Sequence, residues 1–150
     1  MEGFAGADTV SKDFISQLNK IMAKQTNDYQ PTGFNIAAVL LTAADTTTAK
    51  LIFAADADDS TVNQFSIRNA ASVSATVELL LYNGTTDFVL TTVIVPGNAG
   101  TNGIETAFDV LQLEMIYNAS ILLKGGWSIR ARAKTTLTGE LTFIVIASDY

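Results

Sequence analysis

The sequence predicts an all-β fold, an antiparallel β-sandwich of jelly-roll or immunoglobulin-like type with about eight strands, preceded by an N-terminal amphipathic α-helix. Short apolar stretches follow Gly33 and are separated by turn sequences such as ADTTTA, YNGTTD and KTTLTGE. This spacing of many short strands is typical of antiparallel sandwiches and barrels. Alternation within the stretches supports strands, since Val77, Leu79 and Leu81 of ATVELLLY share one face of an extended chain.

The first segment has a different period. From Asp8 to about Lys24 the apolar residues fall at helical spacing and form a single stripe, which predicts an amphipathic helix. Asp8 or Thr9 can cap its start, and the sequence QTNDYQPTG ends it. We therefore divide the chain into a helical arm, residues 1–30, and a β-sandwich domain, residues 34–150. The stripe of the arm consists of Val10, Phe14, Ile15, Leu18, Ile21 and Met22.

Eight strands are predicted from the alternating stretches and the turns between them. Asn83 and Gly84 predict a tight hairpin, because both residue types tolerate the positive φ of such turns. The segment Gln112–Lys124, QLEMIYNASILLK, fits either a helical turn or a pair of strands. The predicted strands are Phe34–Ala43, Lys50–Ala55, Val62–Asn69, Ala75–Tyr82, Phe88–Val95, Ile104–Val110, Trp127–Lys134 and Glu140–Ala147.

The composition narrows the classes of function. The 150 residues are 48% hydrophobic and only 16% charged, against about 25% charged in an average soluble domain. A surface this poor in charge suits a protein that packs against other proteins. The net charge of −6 repels phosphate backbones, so we expect no nucleic-acid partner. The longest apolar run, Phe34–Ala44, is too short to span a membrane, and we expect no membrane partner.

The chain contains neither cysteine nor histidine. Thiol nucleophiles, zinc–thiolate sites and a conventional Ser-His-Asp triad are therefore excluded. No pair of carboxylates stands out as a general acid and base, and we expect no enzymatic activity, no cofactor and no metal. A hydrolase that uses carboxylates is the rival hypothesis, and the carboxylates considered for it are Asp87, Glu105, Asp109 and Glu114.

A basic stripe on one strand is the first candidate binding site. Arg130, Arg132 and Lys134 alternate with small or apolar residues, so they share one face of the strand. They form either a solvated sheet face or a docking stripe for an acidic neighbouring subunit. Across the next turn, Glu140 is a candidate ion-pair partner for Lys134.

Two other features admit a binding function. Asp56, Asp58 and Asp59 of the sequence DADDST have the ligand type that calcium prefers, although the EF-hand pattern is missing and a polar turn is the simpler interpretation. Exposed aromatic side chains beside polar loops favour sugar binding, which makes a carbohydrate- or receptor-binding module an alternative function. The aromatic candidates are Trp127, which we expect in the core, and Tyr82, Tyr117 and Tyr150.

The region from Lys50 to Tyr150 resembles a small β-sandwich domain found in virion structural proteins of tailed bacteriophages, of the head-decoration, head-fibre or tail-surface type. The resemblance is carried by the segments NQFSIRNAASVSATVELLLYNG, LTTVIVPGNAGT and LLKGGWSIRARAKTTLTGELTFIVIASDY. Gly126 and Trp127 depart from the usual Gly-Asp-x-Ile of these domains. The matching positions are Asn69, Val77, Leu79, Leu81, Asn83, Gly84, Pro96, Leu122, Gly125 and Ile129.

The resemblance implies a structural role in the virion, in many copies, with synthesis in the cytoplasm of a bacterial host. It implies partners among capsid or tail subunits and copies of the chain itself, and it implies no catalytic residues. Such domains occur in heads and in tails, so the position in the particle stays open. We expect the apolar stripe of the arm to anchor the protein, either on its own sandwich, on a partner or on sister subunits.

Overall fold

The computed structural model describes residues 32–112 and 120–150. The predicted helical arm with its anchor stripe, and most of the ambiguous segment after Gln112, lie outside the described residues. Within the described part, no helix is long and apolar enough to cross a bilayer. Two short 3-10 turns, Ala43–Asp45 and Val110–Gln112, accompany nine strands: β1 Gly33–Leu41, β2 Lys50–Ala54, β3 Ser60–Asn69, β4 Ala75–Tyr82, β5 Asp87–Val95, β6 Phe108–Asp109, β7 Ile121–Leu123, β8 Ser128–Ala133 and β9 Leu141–Asp149.

The strands form two antiparallel sheets. One sheet has the order β1-β9-β3-β6, with β7 also paired to β3, and the other has the order β2-β8-β4-β5. Consecutive strands often change sheet, so that β1, β3 and β9 alternate with β2, β4 and β8. The two sheets share a single hydrophobic cluster, which confirms the predicted β-sandwich.

The alternation of buried and exposed side chains along each strand shows which residues form the core. In β9, Leu141, Phe143, Val145 and Ala147 are buried and face the opposite sheet. The ring of Phe143 packs against that of Phe65, with centroids 6.3 Å apart and planes tilted by 46°, a geometry that aromatic pairs favour. In the other sheet, the buried side chains of β8 are small or branched, namely Ser128, Ile129, Ala131 and Ala133.

The hairpin predicted at Asn83 and Gly84 is confirmed. It joins β4 to β5 in an antiparallel pair, and Gly84 takes a φ of +98°, which only glycine adopts without strain. The Oδ1 atom of Asn83 accepts hydrogen bonds from the backbone N–H groups of Thr85 and Thr86, at 3.0 and 2.8 Å. Asparagine is favoured in turns for this reason.

The predicted strand Ile104–Val110 is wrong over most of its length, since only Phe108–Asp109 pairs with β3. The preceding residues form turns around Asn102, whose Oδ1 accepts the N–H groups of Ile104 and Glu105 at 2.9 Å each. Such local side-chain bonds compete with sheet pairing. The segment Gln112–Lys124 contributes one short strand, Ile121–Leu123, and its central residues lie outside the described part.

The first predicted strand also ends earlier than expected. It was predicted to reach Ala43, but β1 ends at Leu41 and a 3-10 turn follows. The carboxylate of Asp45 accepts the backbone N–H of Thr42 at 2.8 Å and holds the pKa of Asp45 below its usual value. Asp45, the third residue of the 3-10 turn, thus caps the start of that turn.

The loop between β3 and β4 packs closely against the backbone that follows β5. Gly97, just after β5, lies so near the loop at Ser72 that a Cβ atom would overlap the Ser72 carbonyl. By contrast, a Cβ on Gly33 would meet no atom within 4 Å. Glycine at position 97 is therefore required by space.

We expect Gly97→Ala to lower the free energy of unfolding by about 1–3 kcal/mol, because two backbone segments must move apart. The matched variant Gly33→Ala should leave stability nearly unchanged. Urea unfolding followed by circular dichroism measures both. Equal stability of the two variants would contradict the packing described here.

Candidate functional site

The basic stripe lies on the outer face of the β2-β8-β4-β5 sheet and is paired with acids of the same sheet. Both oxygens of Asp87 accept hydrogen bonds from Arg130 Nη1, at 2.9 and 3.1 Å. Arg132 donates from Nε to Glu78, and Lys134 Nζ lies 3.5 Å from the other oxygen of Glu78. We call these five residues the ion-paired face.

The register of β4 against β8 explains why Glu78 pairs with the basic stripe. Glu78 of β4 lies directly opposite Arg132 of β8, where oppositely charged side chains stabilise an antiparallel pair. Glu140, the partner considered from sequence, lies across the next turn, whereas the structure gives Lys134 the partner Glu78. Pairing with acids of the same sheet is what we expect of a solvated sheet face. The alternative, a docking stripe for an acidic neighbouring subunit, remains a prediction.

Arg130 also covers apolar surface. Its guanidinium carbon lies 4.8 Å from the centre of the Tyr82 ring, a favourable cation–π distance. Leu80, directly opposite Arg130 in the sheet, belongs to this outer face and yet has no exposed surface. The long stems of charged residues commonly shield apolar neighbours in this way.

The hydrogen bond from Arg132 lowers the pKa of Glu78 below its ordinary value of 4.5, and the charges of Arg132 and Lys134 lower it further. Burial acts in the opposite direction and is outweighed. Glu78 is therefore the acid on which this face depends, because it balances two cations.

Three of the carboxylates considered for calcium or catalysis hold backbone N–H groups. Asp59 accepts the N–H of Gly125 at 3.0 Å, and Asp56 accepts that of Ala57 at 2.8 Å. Asp109 accepts the N–H of Leu111 at 3.0 Å. Within residues 32–112 and 120–150, no group of three metal-ligating side chains comes together. Glu114 lies outside that part of the chain.

A shallow depression opens beside the ion-paired face. It is lined by Trp127 and Tyr82, with Leu51, Ser128 and Arg130 around them. Trp127, which we expected in the core, is only half-buried and packs against the core. Of the other aromatic candidates, Tyr117 lies outside the described residues and Tyr150 is half-buried.

On the outer side of the other sheet, the part formed by β1 and the middle of β9 is apolar and was not singled out from the sequence. Phe34, Ile36 and Leu40 of β1 are 76%, 68% and 45% exposed, and Ala38 between them is also exposed. Ile144 and Ile146 of the neighbouring β9 lie directly opposite Ala38 and Ile36. We call these six residues the apolar face.

The apolar face has a defined border and size. The next strand, β3, turns polar side chains outward, including Gln64 and Ser66. A nine-residue strand is roughly 30 Å long, and two strands are about 10 Å wide, so the face covers roughly 300 Å². This area lies at the lower end of the largest apolar patch of a typical monomer, about 300–600 Å², a patch that is often functional.

Comparisons with known proteins identify no family. No family profile and no curated protein matches the chain. Among solved structures, the chain is similar to the crystal structure of a pentameric capsid protein isolated from metagenomic phage sequences. The sequence identity is 16% and the TM-score 0.37, over 77% of this chain and 61% of that one. A likeness this distant carries no argument about function.

We expect Glu78→Gln to destabilise the protein at pH 7 and to do so less as the pH falls. Because the pKa of Glu78 is lowered in the folded state, its stabilisation is complete above the unfolded value, near 4.5, and is lost as the pH falls through the folded value. Urea unfolding at pH values between 7 and 3 measures the difference.

The matched control is Glu105→Gln, which changes an exposed loop carboxylate. Its difference from the wild type should be small at every pH. A difference for Glu78→Gln that stays constant down to pH 3 would contradict the role given to the ion pairs.

Proposed function

We propose that this chain is a structural protein of a bacteriophage virion, present in many copies as a capsid decoration or head-fibre component. The same surfaces would serve a tail or neck protein. In this proposal the chain has no catalytic role, and its partners are other virion proteins and copies of itself.

The observation that supports an assembly role is the apolar face. Monomeric proteins normally cover or charge the outer side of an edge strand, whereas Phe34 and Ile36 are mostly exposed. Contact with water costs about 25 cal/mol for each Å² of apolar surface. A partner that covers this face removes that cost, which favours the assembled state over the free chain.

The phage assignment rests on the resemblance of Lys50–Tyr150 to virion β-sandwich domains. Two matching positions have structural reasons in this chain: Asn69 organises the bend after β3, and Gly125 lies against the carbonyl of Ala57, where a Cβ would clash. At these two positions, the residues that carry the resemblance are ones on which the sandwich depends.

In the proposed mechanism, the arm anchors the protein and the sandwich projects from the particle. Burial of the stripe that contains Phe14 and Leu18 would contribute several kcal/mol, at about 25 cal/mol per Å², before the cost of ordering the arm. Many copies on one lattice would raise the effective affinity by roughly 10²–10⁴-fold. A modest contact is then sufficient for stable attachment.

The first test is the composition of particles of a phage whose genome encodes this chain. We expect mass spectrometry of purified particles to find the chain in many copies, and deletion of residues 1–28 to abolish its incorporation. Circular dichroism of the truncated protein checks that the sandwich is folded. Absence of the full chain from particles would overturn the proposal, and normal incorporation of the folded truncated chain would overturn the anchor.

A pair of point variants tests the anchor more sharply. Leu18→Asp places a charge in the predicted stripe, and Ser16→Asp places the same charge on the opposite side of the predicted helix. We expect the first to reduce incorporation at least tenfold and the second to leave it unchanged. Equal incorporation of the two variants would show that the stripe is not the anchor.

A second candidate function is saccharide binding at the depression between Trp127 and Tyr82. An aromatic surface beside hydrogen-bonding groups such as Ser128 is the combination that sugars favour. In a virion protein, such a site would contact the glycans of a host surface.

Screening on a glycan array tests this second candidate. If the depression is the site, Trp127→Ala should abolish any binding found, while Phe88→Ala, at an exposed position on β5, should preserve it. Both variants must retain the wild-type circular dichroism spectrum. Binding that persists in Trp127→Ala would exclude this depression.

A further inference from the structure

We infer that the depression between Trp127 and Tyr82 binds an uncharged sugar, and that the hydroxyl of Ser128 is the polar group that holds it. This inference rests on the second candidate function proposed above. It narrows the ligand of that site to one class, a saccharide without carboxylate or amine, and it assigns the hydrogen bond to one side chain.

The depression exists because small side chains lie beside large ones. Ser128 of β8 lies directly opposite Ala54 of β2 and Tyr82 of β4, so these three residues form one row across the outer side of the sheet. The two small side chains leave a space beside the Tyr82 ring, and Trp127 and Arg130 line the same space. Its volume of about 450 Å³ lies within the range of small-molecule sites, roughly 300–1,000 Å³.

Backbone hydrogen bonds fix the position of Trp127. Its N–H donates to the carbonyl of Lys124 at 2.9 Å, and its carbonyl accepts the N–H of Ala55 at 2.9 Å. Gly126 takes a φ of +83° in the turn between them, a conformation that favours glycine. A site whose backbone is fixed before binding loses less conformational freedom when a ligand binds. The backbone on the aromatic side of the depression is therefore preformed.

The hydroxyl of Ser128 points to a ligand. Ser128 is only 6% exposed and lines the depression, yet its side chain has no hydrogen-bond partner among the described residues. No fully buried side-chain polar atom in the described part lacks a partner, so the Ser128 oxygen keeps its access through the depression. Buried polar side chains normally have a hydrogen-bond partner. A ligand hydroxyl in the depression would supply the partner that the fold does not.

The engagement of Arg130 disfavours an anionic sugar. Its Nη1 atom donates to both oxygens of Asp87, at 3.1 and 2.9 Å, and its Nη2 atom donates to the carbonyl of Ala49 at 3.3 Å. Arginine recognises carboxylates through paired N–H groups, and here those groups are already used. A sugar carboxylate would have to displace Asp87 to bind Arg130.

The neighbouring loop and the Tyr82 ring disfavour charged ligands as well. Gly125 packs against the carbonyl of Ala57, which places the loop with the acids of DADDST beside the Trp127 turn, where those acids repel an anion. Cations bind aromatic rings through the ring face. The guanidinium of Arg130 already lies over the Tyr82 ring, 4.8 Å from its centre, and it repels a second cation.

A neutral sugar fits what the depression offers. Its ring has an apolar C–H side that can pack on the aromatic side chain of Trp127, and its hydroxyls can pair with Ser128. A serine hydroxyl both donates and accepts hydrogen bonds, so it can pair with a sugar hydroxyl in either direction. Small-molecule sites commonly combine an apolar lining with a few polar groups in this way.

The single tryptophan of the chain allows a direct test. Because Trp127 is the only tryptophan, its indole N–H resonance reports on the depression alone. The full chain is titrated with two matched pairs of sugars. Lactose is compared with 3′-sialyllactose, which adds a carboxylate, and N,N′-diacetylchitobiose with chitobiose, whose free amines are cationic.

We expect the neutral sugar of at least one pair to shift the indole resonance in a saturable manner. Its charged counterpart should bind about tenfold more weakly or worse, a difference that corresponds to about 1.4 kcal/mol. Tighter binding of the charged member in both pairs would overturn the inference.

Ser128→Ala tests the hydroxyl. Because the hydroxyl has no partner within the folded chain, its loss should leave the midpoint of urea unfolding unchanged, while the affinity for the neutral sugar falls about tenfold. The matched variant is Ser148→Ala, also 6% exposed, whose hydroxyl accepts a hydrogen bond from Asn63 Nδ2 at 2.6 Å. It should lower the unfolding midpoint and leave the sugar affinity unchanged. Full sugar affinity in a folded Ser128→Ala variant would overturn the role of Ser128.

The outcomes separate this inference from the functions proposed above. A preference for a charged sugar that Trp127→Ala abolishes contradicts the neutral ligand and leaves saccharide binding at the depression intact. If none of the four sugars shifts the indole resonance, the inference is overturned, and the glycan array decides independently whether the chain binds saccharides. The virion role is tested by the composition of particles and stands or falls on that measurement alone.

Discussion

The fold depends on the buried side-chain amide of Asn69. Asn69 is 1% exposed and ends β3, where the chain leaves one sheet for the other. Its Nδ2 donates to the carbonyls of Val73 and Val95, at 2.9 and 3.4 Å, and its Oδ1 accepts the N–H of Ala71 at 2.9 Å. The backbone N–H of Asn69 donates to Ala99. Loss of a buried partner costs about 1–3 kcal/mol, so one residue ties the bend and the end of β5 to β3.

The order of the strands in the two sheets gives their outer surfaces different characters. Glu78 is placed opposite Arg132, and the hairpin brings Asp87 to Arg130. The three cations of the basic stripe are therefore paired with two acids, which offsets most of their mutual repulsion. On the other sheet, β9 places Ile144 and Ile146 beside the outward side chains of β1. The charged face suits water, and the apolar face suits another protein.

The sequence predicted the elements better than it predicted the surfaces. Alternation located the strands, and Asn83 with Gly84 located the hairpin, since these are local properties. The strand predicted to begin at Ile104 is wrong because the side chain of Asn102 accepts hydrogen bonds from its own neighbours. The segment is partly apolar, but its first residues pair with no described strand. The true acid partner of Lys134 depended on which strand lies beside β8, and alternation alone does not determine strand order. The apolar face was missed for the same reason, because a strand reveals which residues share a face but not which face is covered.

One signal for the apolar face was nevertheless present. In FNIAAVLL seven of the eight residues are apolar and only Asn35 is polar, so both faces are largely apolar, a pattern typical of strands that are buried on both sides. An edge strand of a two-layer sandwich is buried on one side only, as the exposure of Phe34 shows. The sequence of β1 is therefore typical of a strand with two covered sides, and its outer side is the surface that the proposed assembly would cover. Association through such a face needs no charge complementarity, which agrees with a chain in which only 16% of the residues are charged.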